Sequence, residues 1–249
     1  DMTKTREDLD FSAQVPIEPE GMLETVRLLA DGKYRGRGIG TPELDQVAAY
    51  IAGRFEAFGL APGGPDGSWY QEWIDRETKV RLRNVVGVLP GRNPELARES
   101  VVISAHYDHL GTTGASKQHA GMVHPGADDN ASGVAVLLEL ASRLPLVANM
   151  ERPVVFIAFT GEESGRKGSK YYVQQERRYP AARATGMINL DTVGRLGKGK
   201  LIVLGAGSAK EWSALLQEAA KPLKLEIAES SQDLDASDQM SFHEAGVPA

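Results

Sequence analysis

Acids and imidazoles cluster at four places along the chain: His106 with Asp108, the pair Asp128-Asp129, the pair Glu162-Glu163, and Asp191. None of the 249 residues is cysteine, which removes thiolate zinc sites, a cysteine nucleophile and disulfides. His, Asp and Glu without Cys make the ligand set of a hydrolytic zinc site rather than a structural one. Paired acids suit a division of labour, in which one carboxylate binds metal while its neighbour stays free to take a proton from water. Asp108, two residues past His106, is placed to accept a hydrogen bond from the ring nitrogen that does not ligate. A two-metal site, with ions roughly 3.5–4 Å apart, also needs a carboxylate that bridges them. Taken singly, each cluster has an ordinary reading. A His at a strand end is usually structural, a Glu-Glu pair is usually a solvated face, and Asp-Asp-Asn before a helix is usually a capping loop.

What changes those readings is the order of the elements between the clusters. Leu44, Val47, Ala48, Ile51, Phe55 and Phe58 recur at helical spacing, with Gly59 to end the run. The pattern predicts helices over 44–58, 131–144, 169–177 and 209–220. It predicts strands over 80–89, 101–105, 153–159, 187–190, 201–204 and 223–227. Such alternation predicts an α/β fold, a three-layer α/β/α sandwich around a mostly parallel, mixed sheet. His106 and Asp108 then follow one strand, Glu162 and Glu163 the next, and Asp191 a third. In open α/β sheets ligands bind outside the carboxyl ends of the strands, so three strands deliver acid or imidazole to one edge. Asn130 or Ser132 would cap the helix that follows Asp128 and Asp129. Residues 1–20 are polar and irregular and read as an N-terminal arm, leaving 21–249 for the main domain.

Hydrophobic residues make up 41% and charged residues 25%, an ordinary globular balance. The net charge of −6 is mixed along the chain, and without a basic patch nucleic acid is not an expected partner. No apolar run approaches the roughly 20 residues that a membrane-spanning helix needs. The chain begins at Asp1 rather than Met, which fits a removed signal peptide, so the expected location is secreted or periplasmic.

Four co-ordered motifs carry a resemblance. They are Ala105-His106-Tyr107-Asp108-His109-Leu110-Gly111, Gly126-Ala127-Asp128-Asp129-Asn130-Ala131-Ser132-Gly133, Gly161-Glu162-Glu163-Ser164-Gly165 and Asn189-Leu190-Asp191. In order and spacing the series resembles the bacterial zinc aminopeptidase family, related to the glutamate carboxypeptidases and glutaminyl cyclases. The likeness covers roughly residues 80–249, and 35–60 also resembles the family's N-terminal segment. The resemblance implies a zinc metallopeptidase acting on peptide or aminoacyl substrates, with two zinc ions in a complete site. It implies His106 and Asp191 on one zinc, Glu163 on the other and Asp129 bridging both. It makes Glu162 the general base and Asp108 the residue that orients His106; Asp128 is not a ligand.

The sequence departs from the family pattern in three places. The family's fifth ligand is a His that follows a segment like 242–249 after one more strand, and the 249 residues end at Ala249. The expectation is therefore a domain without its last ligand, holding at most one zinc tightly and nearly inactive. His243 matches a position before the ligand's strand and is the first candidate to substitute for it. Ser237-Asp238-Gln239 resembles a segment that usually ends in His. Residues 73–80 run straight on where many members carry a protease-associated insert domain. Of the other imidazoles, His109 is carried over to no metal role, and His119 and His124 are expected to face solvent or line a pocket. Arg195 is expected to contact either a substrate or a structural carboxylate. Two rival functions remain, a one-zinc glutaminyl cyclase and a binding domain without catalysis; two, one or no metals per chain would separate the three.

Overall fold

The structure is a computed structural model that describes residues 17, 19–112, 121–147, 149–176, 178–197, 199–230 and 237–249. Helices α1 (Pro19–Leu29) and α2 (Pro42–Ala57) come first. Strands β1 (Ala61–Pro62), β2 (Tyr70–Ile74), β3 (Arg81–Leu89) and β4 (Ser100–His106) follow. Then come α3 (Gly133–Val147), β5 (Val154–Phe159), α4 (Lys167–Gln175) and β6 (Ala184–Asn189). Last are β7 (Leu201–Val203), α5 (Trp212–Ala220), β8 (Ile227–Glu229) and α6 (Gln239–Glu244). No described helix is long and apolar enough to cross a membrane.

The main sheet runs β1-β3-β5-β4-β6, with β2 also paired to β3. Its site-bearing half is parallel, β5 to β4 and β4 to β6, while β1, β2 and β5 each meet β3 antiparallel. Every residue of β5 is buried, and the pleat sends alternate side chains to opposite faces. Val154, Phe156 and Ala158 pack with Ile51 and Phe55 of α2 and Leu137 and Leu138 of α3. Val155, Ile157 and Phe159 pack with Tyr172 of α4 and Phe242 of α6. Two cores on one sheet make the three-layer α/β/α sandwich that the alternation predicts. Burying a large apolar side chain contributes about 1.5–3 kcal/mol, so this central strand anchors both layers.

Local chemistry accounts for most of the element ends. Thr41 accepts the Leu44 N–H at 3.2 Å and Pro42 opens α2, whose buried stripe Leu44, Val47, Ala48, Ile51 and Phe55 has helical period. The predicted strand at 223–227 lies later, at β8. Past Ala220 the helix winds into a further turn, with Leu223 and Leu225 N–H donating to the Ala220 carbonyl and Lys224 in the left-handed region at φ 50°. β7 and β8 pair only with each other and form a separate two-stranded parallel sheet. The predicted helix at 169–177 begins two residues earlier, at Lys167, and α1, β2 and α6 are elements that the sequence reading did not predict.

One side chain fastens the segment before α2 to the rim of the sheet. Arg37 is fully buried, and its guanidinium donates to the carbonyls of Leu29 (2.6 Å), Tyr107 (3.0 Å), Pro125 (2.8 Å) and Gly126 (2.7 Å). These lie at the end of α1, just beyond β4 and in the loop that leads to Asp128. Burial lowers its pKa to about 10, against the pull of Asp108, Asp129 and Glu163, so it remains a cation at neutral pH. Removing it strands four buried acceptors. Arg37→Met should lower stability by about 3–5 kcal/mol, as for other broken buried charge networks. Urea unfolding would read this as a fall in midpoint; a midpoint within error of wild type would show that water or backbone shifts replace the guanidinium.

Candidate metal centre

β4 ends at His106, which is 1% exposed. Its Nδ1 meets the backbone carbonyl of Asp108 at 3.2 Å, with the Asp108 carboxylate Oδ1 further off at 3.8 Å. With Nδ1 as the donor, the Nε2 lone pair is free and aimed outward. There it lies 3.3 Å from Asp129 Oδ1 and 3.5 Å from Asp191 Oδ1. Both of those oxygens are buried without a hydrogen-bond partner. Two ligand atoms each about 2.0–2.1 Å from a tetrahedral zinc are roughly 3.3 Å apart, so both distances from His106 match the edge of one coordination sphere, and all three ligand atoms lie within 4.8 Å of one another. Burial alone would push the His106 pKa down, but Asp108, Asp129 and Asp191 more than offset it and the ring is held well above its ordinary value. The partners respond in kind: the contact with His106 holds the Asp129 carboxyl below the usual range despite its burial.

A second group adjoins the first. His109 Nδ1 lies 2.6 Å from Glu163 Oε1 and 3.8 Å from Asp129 Oδ1, and the three ligand atoms all fall within 4.8 Å of one another. Asp129 thus belongs to both groups. The chain after β4 is bent back to bring His109 here. Its N–H donates to the Arg37 carbonyl at 3.0 Å, and the Gly111 N–H donates to the Gly36 carbonyl at 3.0 Å. Glu162 directly precedes Glu163 in sequence but belongs to neither group. Its N–H donates to Asp108 Oδ1 at 3.2 Å. Burial pushes its carboxyl up to about 8, His106 opposes this, and Asp238, Asp108 and Asp191 add to it. A nearby dication would pull it down again. Asp238, on the approach to α6, is fully buried with neither carboxylate oxygen hydrogen-bonded, and burial raises it to about 7.

The loops that carry Asp129 and Asp191 are tied to each other. The Asn130 amide donates to the Leu190 carbonyl at 2.9 Å, and its carbonyl oxygen accepts from Gly133 N–H (3.0 Å) and Thr192 N–H (3.3 Å). The same side chain therefore caps α3 and holds the Asp191 loop. A side chain at Gly133 would collide with the Leu190 carbonyl, so the two loops meet this closely only through glycine. The peptide between Asp129 and Asn130 is cis. Asp128 faces away from both groups: its carboxylate accepts from Gly194 N–H at 2.9 Å and pairs with Arg195 at 2.9 Å. Of the two expectations for Arg195, the structure supports the structural carboxylate.

The rim of the sheet brings together His106, Asp108, Asp129, Glu162, Glu163 and Asp191, and Asp128 stands apart. His109, which was expected to have no metal role, joins the second group, and His243 joins neither. His109 was visible in the sequence only as one more residue of the first motif; its direction depends on a backbone pairing with residues about 70 positions earlier. His124 lies near it, with ring centroids 6.5 Å apart, and His119 lies outside the described residues. A groove of about 640 Å³ opens beside His109 and Glu163, walled by Arg35, Ile39, Pro42 and Leu110.

Known proteins resemble this chain in sequence or in fold. The chain is 31% identical over 176 residues to "Aminopeptidase YwaD" of Bacillus subtilis, an alignment covering 68% of this chain and 35% of that protein. It is 30% identical over 243 residues to "Probable leucine aminopeptidase" of Trichophyton verrucosum, covering 94% of this chain and 60% of the relative. The chain therefore spans about a third to three fifths of the length of these curated relatives. Among solved structures, a glutaminyl cyclase from Fimbriiglobus ruber superposes with a TM-score of 0.76 at 21% identity, over 94% of this chain and 83% of that one. The zinc aminopeptidase BSAP of Bacillus subtilis superposes with a TM-score of 0.74 at 19% identity, over 94% and 84%. At such identities the structural likeness concerns the fold. Residues 84–249 match the model of peptidase family M28, and the chain belongs to that family.

Proposed function

We propose that this protein is a zinc metallopeptidase that hydrolyses N-terminal peptide bonds at a two-metal site, with Glu162 as general base. The observation that carries the reading is the pair of acid–imidazole groups that share Asp129 while the buried acid Glu162 stays outside both. His106, Asp129 and Asp191 would hold one zinc, and Asp129 and Glu163 would contribute to the other. Bound there, the two ions would polarise the scissile carbonyl and make a water acidic enough to attack near neutral pH. Glu162 takes the proton from that water and later passes it to the leaving amine. Asp108 contributes twice: its carbonyl fixes the His106 ring and its carboxylate holds the backbone of Glu162. Two ligand groups rather than one favour this over the one-zinc cyclase reading. The groove beside Glu163 suits the side chain of an N-terminal residue.

Dialysis against a chelator should abolish hydrolysis of an aminoacyl anilide such as leucine p-nitroanilide, and added zinc should restore it. Activity that survives complete metal removal would end the metallopeptidase assignment. Glu162→Gln should leave the metal content near that of wild type and lower kcat by about 10²–10⁴-fold, the usual worth of a general base. Undiminished turnover in that variant would move the base elsewhere.

A further inference from the structure

We infer that Asn84 is a positioning residue for the turn that carries Glu162 and Glu163, and that one buried amide grips this turn at both ends. Its consequence for catalysis rests on the peptidase reading above; the hydrogen bonds stand apart from it. Asn84 lies on β3 and is fully buried. Val86 and Val88 of the same strand join the apolar core beneath α4 and α6. The pleat puts Asn84 on their face, where a leucine would pack with no polar group to satisfy. The amide is used on the turn instead. Its oxygen accepts the Thr160 N–H at 3.3 Å, just before Gly161. Its nitrogen donates to the Gly168 carbonyl at 3.0 Å, in the first turn of α4. Residues 161–167 lie between those two bonds, Glu162 and Glu163 among them.

The turn is closed on itself. Lys167 N–H donates to the Gly161 carbonyl, and the N–H groups of Gly165 and Arg166 donate to the Glu162 carbonyl, each at 2.9 Å. A turn closed in this way moves as one piece, so whatever holds its two feet sets where both carboxylates stand. Gly168 permits the close approach, since a Cβ there would collide with the Thr160 carbonyl and with Asn84 Oδ1. Asn84 is held in its turn. Its nitrogen also donates to Gln71 Oε1 at 2.9 Å, from the residue directly opposite on β2. The Gln71 amide donates to Glu176 Oε2 at 3.3 Å, and Glu176 Oε1 accepts the N–H groups of Arg178 (2.7 Å) and Tyr179 (3.2 Å). Exchanging the two ends of the Asn84 amide would set its NH₂ against the Thr160 N–H and its oxygen against two acceptors, so its orientation is fixed. These side chains bolt α4 to the sheet at both of its ends.

The plain alternative is that Asn84 only satisfies buried groups and contributes to stability alone. The two roles differ in what removal does. A positioning amide also lets the Glu162 carboxylate drift, and a misplacement of about 1 Å can lower a rate by about 10²-fold.

Hydrogen exchange, followed by mass spectrometry, reads the grip without any reaction. Asn84→Ser is too short to span both bonds, and Gly168→Ala pushes the far foot away although helix propensity alone would favour alanine. Both should speed exchange over residues 160–168 by roughly 5–10-fold, the worth of about one hydrogen bond, and leave residues 100–106 at the wild-type rate. At saturating zinc both should lower kcat on leucine p-nitroanilide by about 10–100-fold, with KM within about twofold of wild type. Ile51→Val and Ile51→Ala, in the core on the other face of the sheet, are the controls for stability alone. They should lower the urea midpoint and leave kcat unchanged at a temperature where circular dichroism shows every variant folded. Wild-type exchange over 160–168 in both variants would overturn the grip. Faster exchange with undiminished kcat would overturn the positioning role, and so would an equal fall in kcat in Ile51→Ala. If Asn84→Ser does not fold, Gly168→Ala carries both measurements. A wild-type protein that leaves the anilide intact would sink the peptidase reading and the catalytic consequence with it, while exchange alone decides the grip.

Discussion

Carboxylates crowd this protein where the sheet ends. Asp108, Asp129, Glu162, Glu163, Asp191 and Asp238 share one rim, and four of them, Asp108, Asp129, Asp191 and Asp238, have at least one buried oxygen without a hydrogen-bond partner. Two carboxylates about 4 Å apart repel by about 4 kcal/mol at an effective dielectric of about 20, so such a gathering has to be compensated. Two imidazoles, those of His106 and His109, lie directly among the acids. Beneath them the Arg37 guanidinium supplies a permanent positive charge while spending its hydrogen bonds on backbone carbonyls. Glu162 and Asp238 show that the compensation is incomplete, since both are pushed toward their neutral forms. Two dications, as proposed, would balance the site and return Glu162 to the basic form that its role needs.

The fold solves the problem of gathering these groups by ending parallel strands together. β4, β5 and β6 run side by side in one direction, so the residues just past each end arrive at the same rim without long connections. The middles of β4 and β5 are largely apolar and bury into two separate cores, while β6 adds Met187 to one of them. The strands are therefore rigid where they are dry, and polar only at the ends, where the chemistry lies. Asn130 and Gly133 then set how closely the Asp129 and Asp191 loops approach, one by hydrogen bonds and the other by having no side chain.

The reaction proposed here depends on keeping the base apart from the ligands. Glu162 and Glu163 are adjacent in sequence, yet only Glu163 contacts an imidazole. The turn at Gly161, with φ of 69°, and the bond from Glu162 N–H to Asp108 send the two side chains different ways. Asp128 and Asp129 are divided in a similar manner: one is consumed by Gly194 and Arg195, and the other faces both histidines.

The sequence by itself determined the layered α/β fold, because apolar periodicity over residues 44–58, 80–89, 101–105 and 153–159 admits few other arrangements. It also determined which strand ends carry acids and imidazoles, since polar residues after a buried strand must lie at its edge. Helix α6 and the edge strand β2 were not read, being short, with little pattern to separate them from loop, and α1, though amphipathic, was passed over beside the polar segment that precedes it. Nor was the shift of the last strand, which depends on how far the turn after Ala220 winds. The direction of His109 was decided only in three dimensions. A residue in a loop has no periodicity to betray where it points, and this one is aimed by hydrogen bonds between its loop and Gly36 and Arg37, on a segment that the sequence places before the whole sheet.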